Sequence, residues 1–428
     1  MRNRLDIQSS KNIVRKIIKI VLVLFVLRVA AINVLLTFSL DEVQLFSSSV
    51  VPLLSYLAGI AFLVLVLWDK APSEDSGEPD SPQQNLQYSW RAFFFGILLC
   101  VGVILIVNPR GLYGIKLFPQ LSNAIKQEKV KYYNRLELDP EVVILGSSRA
   151  LTLSPDYIQE LVGYETYNFS ISGVTQDELA LQGQMLSSGR VRSIPHVVLF
   201  EISPSNLQPL NGVNLADVPI EFLPYMSGKQ GLTFVLDRFE KLFSGYQFSE
   251  ALYVLQFLRQ ERMPQNYWEV HPDGSSDFFP KETLDQALAR QLQERRSQHQ
   301  TPCQNYAKGA DRMIRDFVSL AEQNQFSIVF YFSPIHPYFQ QEYLDKSEDY
   351  GWCLEIFSEL MTSLSDEFPN IFYVDLSDPA AAGLRTDDLG FYDGFHITPA
   401  SAQLVAEALA PEIRSAYTAA DHMRTSQP

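Results

Sequence analysis

The sequence is poor in the features that bind nucleic acids and nucleotides. It has 34 Lys and Arg residues against 49 Asp and Glu residues, which gives a formal net charge of -15. Beyond the N-terminal residues there is no basic stripe, whereas nucleic-acid binding needs clustered Lys and Arg to neutralise phosphates. The sequence also has no phosphate-binding loop and no dinucleotide-binding glycine fingerprint. We therefore expect no nucleic-acid partner and no cofactor.

Cysteine is scarce as well, with only Cys100, Cys303 and Cys353 in the chain. Because there is no CxxC pair and no His/Cys cluster, we expect no metal site. Cys303 and Cys353 could form a disulfide if their domain lies outside the cytoplasm, where disulfides persist. The alternative is two unpaired thiols, and the sequence leaves both open.

Long hydrophobic runs, in contrast, are present near the N-terminus. They cover residues 20–40, 49–68 and 92–108. A helix needs about 20 apolar residues to cross the hydrocarbon core of a bilayer. The runs predict a membrane region over residues 1–110 with three transmembrane helices, and a lipid bilayer as a partner.

The distribution of Lys and Arg predicts how these helices are oriented. Basic residues precede the first run, and the loop that follows it has none. The positive-inside rule therefore places the N-terminus in the cytoplasm. The acidic linker 69–91, rich in Pro and Ser, would then be cytoplasmic. Residues 111–428 would form an extracytoplasmic domain anchored to the cell membrane.

The extracytoplasmic part alternates short apolar runs with amphipathic stretches. Continuous apolar runs bounded by turn residues are typical of strands buried on both faces. The predicted strands are residues 141–146, 166–172, 196–203, 326–333 and 371–377. Strands that alternate with helices indicate an α/β fold with a parallel sheet and helices on both faces.

Residues 208–300 interrupt this alternation. They are rich in aromatic residues, Gln and Arg, and contain helical runs. We predict a mostly helical insertion that acts as a lid or a partner surface. The alternative is a solvated helical excursion without chemistry.

Two turns after predicted strands carry residues suited to acyl chemistry. The first strand ends in "ILGSSRA", where Ser148 would be raised to the carboxyl edge of the sheet. The structural alternative for this serine is a helix cap. The second strand is followed by Gly173, whose N–H could approach a substrate oxyanion because glycine allows close backbone contact.

The stretch "FYDGFHITPASA" near the C-terminus places Asp393 three residues before His396. A nucleophilic serine needs a base within hydrogen-bond reach and a carboxylate that orients the base. An Asp and a His on one short loop can supply both. The alternative is a loop whose polar groups satisfy each other.

The order of these pieces resembles that of the SGNH (GDSL-type) hydrolases. The family blocks read approximately G-D-S, N-x-x-x-x-G, G-x-N-D and D-x-x-H, and the matching stretches are "LGSSRA", "NFSISG", "FEISPSN" and "DGFHITPASA". The resemblance covers about residues 140–415 and implies the family's three-layer fold. It also implies that Ser148 is the nucleophile, His396 the general base and Asp393 its partner. The N–H groups of Ser148 and Gly173 would then form the oxyanion hole.

Two blocks depart from the family pattern. Ser147 stands where the family usually has Asp, and Arg149 follows the nucleophile. In the third block, strict alignment places the family's oxyanion-hole asparagine at Ser205, while Asn206 lies one residue later. A slip of one residue would bring Asn206 into the oxyanion hole. Otherwise the hole has one fewer side-chain donor.

The G-S-S turn and the predicted membrane anchor resemble a subgroup of the family, the D-alanyl-lipoteichoic-acid and alginate O-acetylation type proteins. The resemblance implies a serine esterase or O-acyltransferase that acts on O-acyl groups, for example acetyl, of a cell-surface polysaccharide or another cell-wall polymer. It also implies a membrane-bound O-acyltransferase as a partner. The alternative function is a non-catalytic SGNH scaffold that binds such a partner.

Two further residues are candidate substrate contacts. Arg149 follows the predicted nucleophile, and His336 lies in "YFSPIHP" after the fourth predicted strand. Because it follows a strand of the predicted parallel sheet, His336 would lie at the same edge of the sheet as Ser148. The alternative for His336 is a loop histidine near the surface.

Overall fold

The computed structural model describes the protein from residue 96 onward, with gaps. The described residues are 96–113, 117–118, 125–203, 207, 218–226, 228–260, 267–280, 282–297, 305, 307–344 and 348–426. The predicted spans 20–40 and 49–68 and the linker 69–91 lie outside them, and the third predicted span is described only from residue 96. Among the helices of the described ranges, none combines the length and the hydropathy needed to cross a bilayer.

The chain forms seven strands and ten helices in its described part, besides shorter helical turns. The strands are β1 (Val142–Leu145), β2 (Thr166–Asn168), β3 (Val197–Ile202), β4 (Tyr267–Val270), β5 (Ser276–Phe279), β6 (Ser327–Phe332) and β7 (Ile371–Asp375). The helices are α1 (residues 96–107), α2 (Ile125–Tyr133), α3 (Pro155–Val162), α4 (Gln176–Ser187), α5 (Gly228–Lys241), α6 (Gly245–Gln260), α7 (Leu284–Ser297), α8 (Ala307–Asn324), α9 (Glu348–Glu367) and α10 (Pro399–Thr425).

Five parallel strands form the central sheet, in the order β2-β1-β3-β6-β7. Every residue of β1, β3 and β6 is buried, which explains their continuous apolar sequences. The strand order reverses between β1 and β3. In open α/β sheets, ligands bind beyond the carboxyl ends of the strands at such a reversal.

Helices cover both faces of the sheet, as the alternation of strands and helices predicts. On one face, Leu145 of β1 shares a hydrophobic cluster with Phe317 of α8 and Phe357 of α9. On the other face, Ile144 shares a cluster with Leu409 of α10. The α/β architecture with a parallel sheet is therefore confirmed, and it fixes which strand ends meet at one edge.

Most strand bounds fall within two residues of the predicted ones, but β2 is much shorter. Residues 166–172 were predicted as one strand, whereas β2 ends at Asn168. The chain turns there because the Asn168 side chain accepts a hydrogen bond from the N–H of Ser170, at 3.1 Å. This turn directs the following residues toward the carboxyl edge of β1, where Ile171 N donates to Gly146 O at 2.9 Å.

The last helix, α10, runs from the carboxyl ends of the sheet strands to their amino ends. Thr398 caps its start by accepting a hydrogen bond from Ser401 N, and Pro399 occupies the first turn. Near its end, Arg424 donates to the carbonyls of Ile194, Pro195 and Gln325, which precede β3 and β6. The helix therefore begins beside the carboxyl edge of the sheet and is fastened at the amino edge.

The chain divides into two compact units. One comprises Met1–Leu121 with Arg238–Arg262, and the other comprises Ser122–Asp237 with Met263–Pro428. In the first unit, an ion pair joins Arg110 to Glu250 at 2.7 Å. The second unit contains the sheet. The segment Arg238–Arg262 of the predicted insertion thus belongs to the same unit as the N-terminal region.

The insertion contains a β-hairpin in addition to helices α5, α6 and α7. Strands β4 and β5 pair antiparallel around a turn with Gly274 at φ +84°. Asn168 N donates to Asp273 O, and Ser276 N donates to Leu151 O, each at 3.0 Å. A side chain at Gly274 is excluded, because a Cβ there would lie 2.1 Å from the Asn168 carbonyl oxygen. The hairpin therefore packs directly on the turn that follows β1.

Candidate active site

The turn after β1 is built around a glycine. Gly146 adopts φ +148°, and a Cβ at this position would lie 2.5 Å from the Glu201 Cβ. Only glycine fits such a backbone and such a close approach. The chain then enters a short 3-10 helix, Ser148–Ala150, which Ser147 caps by accepting a hydrogen bond from Arg149 N at 3.3 Å. Ser148 itself is therefore not the capping residue.

Glu201 stabilises this turn from the neighbouring strand β3. It is fully buried, and its Oε2 accepts a hydrogen bond from Ser147 N at 2.8 Å. The family pattern has a carboxylate side chain at the position of Ser147, whereas here a carboxyl group reaches that backbone from β3. Sequence motifs did not predict the role of Glu201. The available signal was an acidic residue within the otherwise apolar strand "VVLFEI", since a fully buried Glu is rare without a partner.

The loop before α10 holds Asp393 and His396 in one arrangement. Asp393 Oδ1 accepts hydrogen bonds from the N–H groups of Phe395, at 2.8 Å, and His396, at 2.9 Å. Its Oδ2 lies 2.7 Å from His396 Nδ1. An isolated antiparallel bridge between Phe391 and Ile397 closes the loop. The spacing of three residues thus lets one carboxylate fix both the backbone and the ring of the histidine.

The environment of Asp393 keeps it ionised. Burial alone would raise its pKa, but the charge and hydrogen bond of His396 and the two backbone N–H groups outweigh burial and lower the pKa from 3.8 to about 2. An ionised Asp393 accepts from the Nδ1–H of the imidazole. When the ring is in its neutral form, this contact leaves Nε2 as the acceptor.

The structure brings Ser148 to this free nitrogen. Ser148 Oγ lies 2.8 Å from His396 Nε2, although the two residues are 248 positions apart in the chain. The three side chains therefore form one chain of hydrogen bonds from the serine hydroxyl through the imidazole to the carboxylate. This is the geometry that an activated serine requires.

The turn after Ser148 is held by a buried amide. Asn168 Nδ2 donates to the carbonyls of Ala150, at 2.7 Å, and Leu153, at 2.9 Å. Lys129 is also fully buried, and its Nζ lies 3.3 Å from both Asn168 oxygens. Burial lowers the Lys129 pKa well below 10.5, although Asp273 acts in the opposite direction. The asparagine of the second block thus positions the nucleophile turn.

The two expected oxyanion donors are the N–H groups of Ser148 and Gly173. Gly173 is exposed, with φ +61°. Among the described residues, neither Ser148 N nor Gly173 N donates to a protein acceptor. Ser205 and Asn206, the two alternatives for the third donor, lie outside the described residues.

Aromatic rings from two segments flank His396. Phe278 of β5 lies with its ring centroid 5.9 Å from that of His396 and 5.3 Å from that of Tyr392. Phe395, which precedes the histidine, packs on Phe339 at 4.6 Å. The hairpin of the insertion therefore supplies part of the wall beside the imidazole, which sequence patterns did not indicate.

The two candidate substrate contacts have different surroundings. His336 has both ring nitrogens engaged within the protein: Nδ1 accepts from Tyr338 N at 3.2 Å, and Nε2 lies 2.9 Å from Thr386 O. These contacts engage both ring nitrogens within the protein, and the side chain is buried rather than near the surface. Arg149 is equally buried, at 6% exposed, but its guanidinium lies 4.1 Å above the Phe395 ring.

The described residues contain no group of three or more His, Cys, Asp or Glu side chains that could hold a metal ion. Of the two cysteines they include, Cys100 is free and Cys353 is disulfide-bonded. Cys303 lies outside them.

No family model matches the chain, and no curated protein matches it. Similar solved structures include a proposed acylhydrolase from Bacteroides fragilis, with 9% identity and a TM-score of 0.33 over 70% of this chain and 99% of that one. A proposed platelet activating factor from Streptococcus pneumonia has 15% identity and a TM-score of 0.31, over 67% of this chain and 92% of that one.

A GDSL-like lipase from Bacteroides thetaiotaomicron has 11% identity and a TM-score of 0.32, over 69% of this chain and 100% of that one. At such values the likeness assigns neither a family nor an activity to this chain. The functional argument therefore depends on the geometry of the site.

Proposed function

We propose that this protein is a membrane-anchored SGNH-type serine esterase or O-acyltransferase. The observation that carries the proposal is the hydrogen-bonded chain of Ser148, His396 and Asp393 at the carboxyl edge of the sheet. Ser148 is the nucleophile, His396 the general base and Asp393 the residue that orients the imidazole.

In the first half of the reaction, Ser148 Oγ attacks the acyl carbonyl and its proton passes to His396 Nε2. The N–H groups of Ser148 and Gly173 stabilise the oxyanion of the tetrahedral intermediate. The intermediate collapses, the alcohol leaves with the proton from His396, and the acyl group remains on Ser148.

In the second half, His396 takes a proton from an acceptor, whose oxygen attacks the acyl-serine. The bond between the acyl group and Ser148 Oγ then breaks, and His396 returns the proton to the serine oxygen. Water as the acceptor gives hydrolysis, and a sugar hydroxyl gives acyl transfer. The natural substrate in this proposal carries O-acyl groups, such as acetyl, on a cell-surface polysaccharide or another cell-wall polymer. In the transfer reaction, a membrane-bound O-acyltransferase is the partner that supplies acyl groups.

The membrane location is part of the proposal, and three observations support it. The sequence has three long apolar runs before residue 110. The first unit exposes the aromatic side chains of Phe239, Phe243 and Tyr246, which suit a membrane–water interface. Cys353 is disulfide-bonded, and disulfides persist outside the reducing cytosol.

The proposal is tested with the full-length chain in detergent. The chain is incubated with 4-nitrophenyl acetate, and mass spectrometry locates the acetyl adduct. We expect an adduct on Ser148 and ester hydrolysis, both lost in Ser148→Ala. The matched control is Ser415→Ala, an exposed serine of α10, which should behave as the wild type.

The contrary result is an absence of adduct with equal hydrolysis rates for the wild type and Ser148→Ala. It would favour the alternative function, a non-catalytic scaffold that binds a membrane-bound O-acyltransferase. The chain of hydrogen bonds favours the enzyme, because a scaffold without chemistry does not require a serine hydroxyl at 2.8 Å from a histidine nitrogen.

A further inference from the structure

Arg149 is a buried cation next to the proposed nucleophile, and the reaction as proposed does not use it. Its residue surface is 6% exposed. Its backbone N–H donates to Ser147 Oγ, but no hydrogen bond or ion pair to a described residue is made by its guanidinium. The contact that it makes is with the ring of Phe395, 4.1 Å away.

A buried guanidinium without an acidic partner is unusual, because removing a charge from water is costly unless the charge is paired. Among the described residues, the buried acidic side chains at this edge are Asp393 and Glu201, and both already accept hydrogen bonds. Asp393 accepts hydrogen bonds from the His396 ring and from two backbone N–H groups, and Glu201 Oε2 accepts from Ser147 N. Neither forms an ion pair with Arg149.

The stacking on Phe395 has a geometric consequence. A guanidinium that lies over an aromatic ring uses its face for that contact, while its N–H groups point outward in the plane of the group. This planar fork matches the two oxygens of a carboxylate or phosphate. Phe395 also holds the fork beside the active site, since the next residue is His396.

From this arrangement we propose that Arg149 binds an oxyanion of the substrate, a carboxylate or a phosphate, close to the reacting ester. The inference rests on the proposed function and adds a substrate class to it: esters that carry a negative charge within reach of Ser148. Arg149 is then a specificity-determining residue, and pairing with the substrate anion offsets the desolvation cost of its buried guanidinium.

The first test measures binding, so it does not depend on catalysis. The full-length chain in detergent is titrated calorimetrically with sodium glucuronate, methyl glucoside and inorganic phosphate. We expect at least one anion to bind about ten-fold or more tightly than the neutral sugar, as a charge-assisted hydrogen bond to a buried group allows. Arg149→Gln should abolish this difference.

Arg149→Lys should keep part of the affinity, because it keeps the charge without the fork. Arg315→Gln is the matched control, since Arg315 is an exposed arginine paired with Asp311 on α8, and it should bind as the wild type. Thermal unfolding of each variant verifies that it is folded. The proposal is overturned if neither anion binds in preference to the neutral sugar, or if Arg149→Gln binds the anions as well as the wild type.

The second test uses esters to find which side of the substrate carries the charge. On the acyl side, mono-4-nitrophenyl adipate is compared with 4-nitrophenyl hexanoate. On the alcohol side, (4-acetoxyphenyl)acetate is compared with its amide. We expect the charged member of one pair to have the higher kcat/KM, and Arg149→Gln to remove that preference.

The outcomes separate the two proposals. Anion binding that depends on Arg149, without acylation of Ser148, would refute the enzymatic function and keep the anion site. Acylation of Ser148 without Arg149-dependent preference in either ester pair, and without anion binding, would keep the enzyme and refute the anion site.

Discussion

Asp393 and Glu201 are both buried at the carboxyl edge of the sheet, and both accept hydrogen bonds from backbone N–H groups. They differ in how far their partners lie along the chain. Asp393 holds residues two and three positions away, whereas Glu201 holds Ser147, which is 54 positions away. The hydrogen bonds of Asp393 are local and can be predicted from a short motif. The hydrogen bond of Glu201 forms only when β1 and β3 pair. Asp393 therefore acts on the imidazole of His396, whereas Glu201 stabilises the turn at Ser147.

The largest expected effect tests the role of Asp393. Asp393→Asn removes the charge that orients the imidazole and stabilises its protonated form. We expect kcat for 4-nitrophenyl acetate to fall by about 10³–10⁴-fold, by analogy with serine hydrolases in general. Steady-state kinetics on the purified variant measures this. A loss below ten-fold in a folded variant would show that Asp393 is not part of the reacting group.

The next effect concerns the glycine between β1 and the nucleophile. Gly146→Ala places a Cβ 2.5 Å from the Glu201 Cβ at an unfavourable φ, and we expect it to lower the free energy of unfolding by roughly 2–5 kcal/mol. Denaturant titration measures the change. Because the close atom is the Glu201 Cβ, adding Glu201→Ala should not relieve the contact. Full recovery in that double variant would contradict the geometric reason.

A smaller effect follows from the lowered pKa of Asp393. A carboxyl group whose folded-state pKa is depressed stabilises the fold above its unfolded pKa, and this contribution is lost as the pH falls through the folded pKa. With a shift from 3.8 to about 2, the contribution is roughly 2 kcal/mol and should disappear between about pH 4 and pH 2.

The measurement is the difference in unfolding free energy between the wild type and Asp393→Asn over this pH range. We expect the difference to shrink on acidification. A difference that stays constant from neutral pH to about pH 2 would show that the carboxyl group is not held ionised by its neighbours.

The smallest effects concern Glu201 and complete the comparison. Glu201→Gln retains an oxygen that can accept from Ser147 N, so we expect a change in unfolding free energy of about 1 kcal/mol or less. Glu201→Ala leaves the buried N–H without that acceptor, and the expected loss is roughly 1–3 kcal/mol. Thermal unfolding of the two variants decides this. An equal loss in both would mean that the charge, rather than the hydrogen bond, is what the turn needs.

The sequence predicted the sheet well because its strands are buried on both faces and read as continuous apolar runs. It was less successful at β2, where the side chain of Asn168 ends the strand early. The hairpin β4–β5 was missed although Asp273-Gly274 is a common hairpin turn. The segment was predicted as part of a mostly helical insertion because helical runs lie on both sides of it.

At the site, the contact of Asp393 with His396 was predictable from local spacing, and the contact of Ser148 with His396 from the order of the blocks that resemble a known family. The contacts of Glu201 and Phe278 were not predicted. Asp393 and His396 are neighbours in sequence, and their spacing indicates their contact. Glu201 and Phe278 reach the site through strand pairing and through docking of the hairpin. That the guanidinium of Arg149 has no acidic partner among the described residues is evident only from the folded structure.

The attachment of α10 at both sheet edges limits how this protein can change in length. A helix advances about 1.5 Å and turns about 100° with each residue. A single insertion or deletion between Thr398 and Arg424 would therefore rotate the anchoring guanidinium away from the carbonyls of Ile194, Pro195 and Gln325. Loops elsewhere can lengthen in evolution at small cost. In this helix, the number of residues sets the distance between the histidine loop and the far end of the sheet, so a change of length there would displace one attachment or the other.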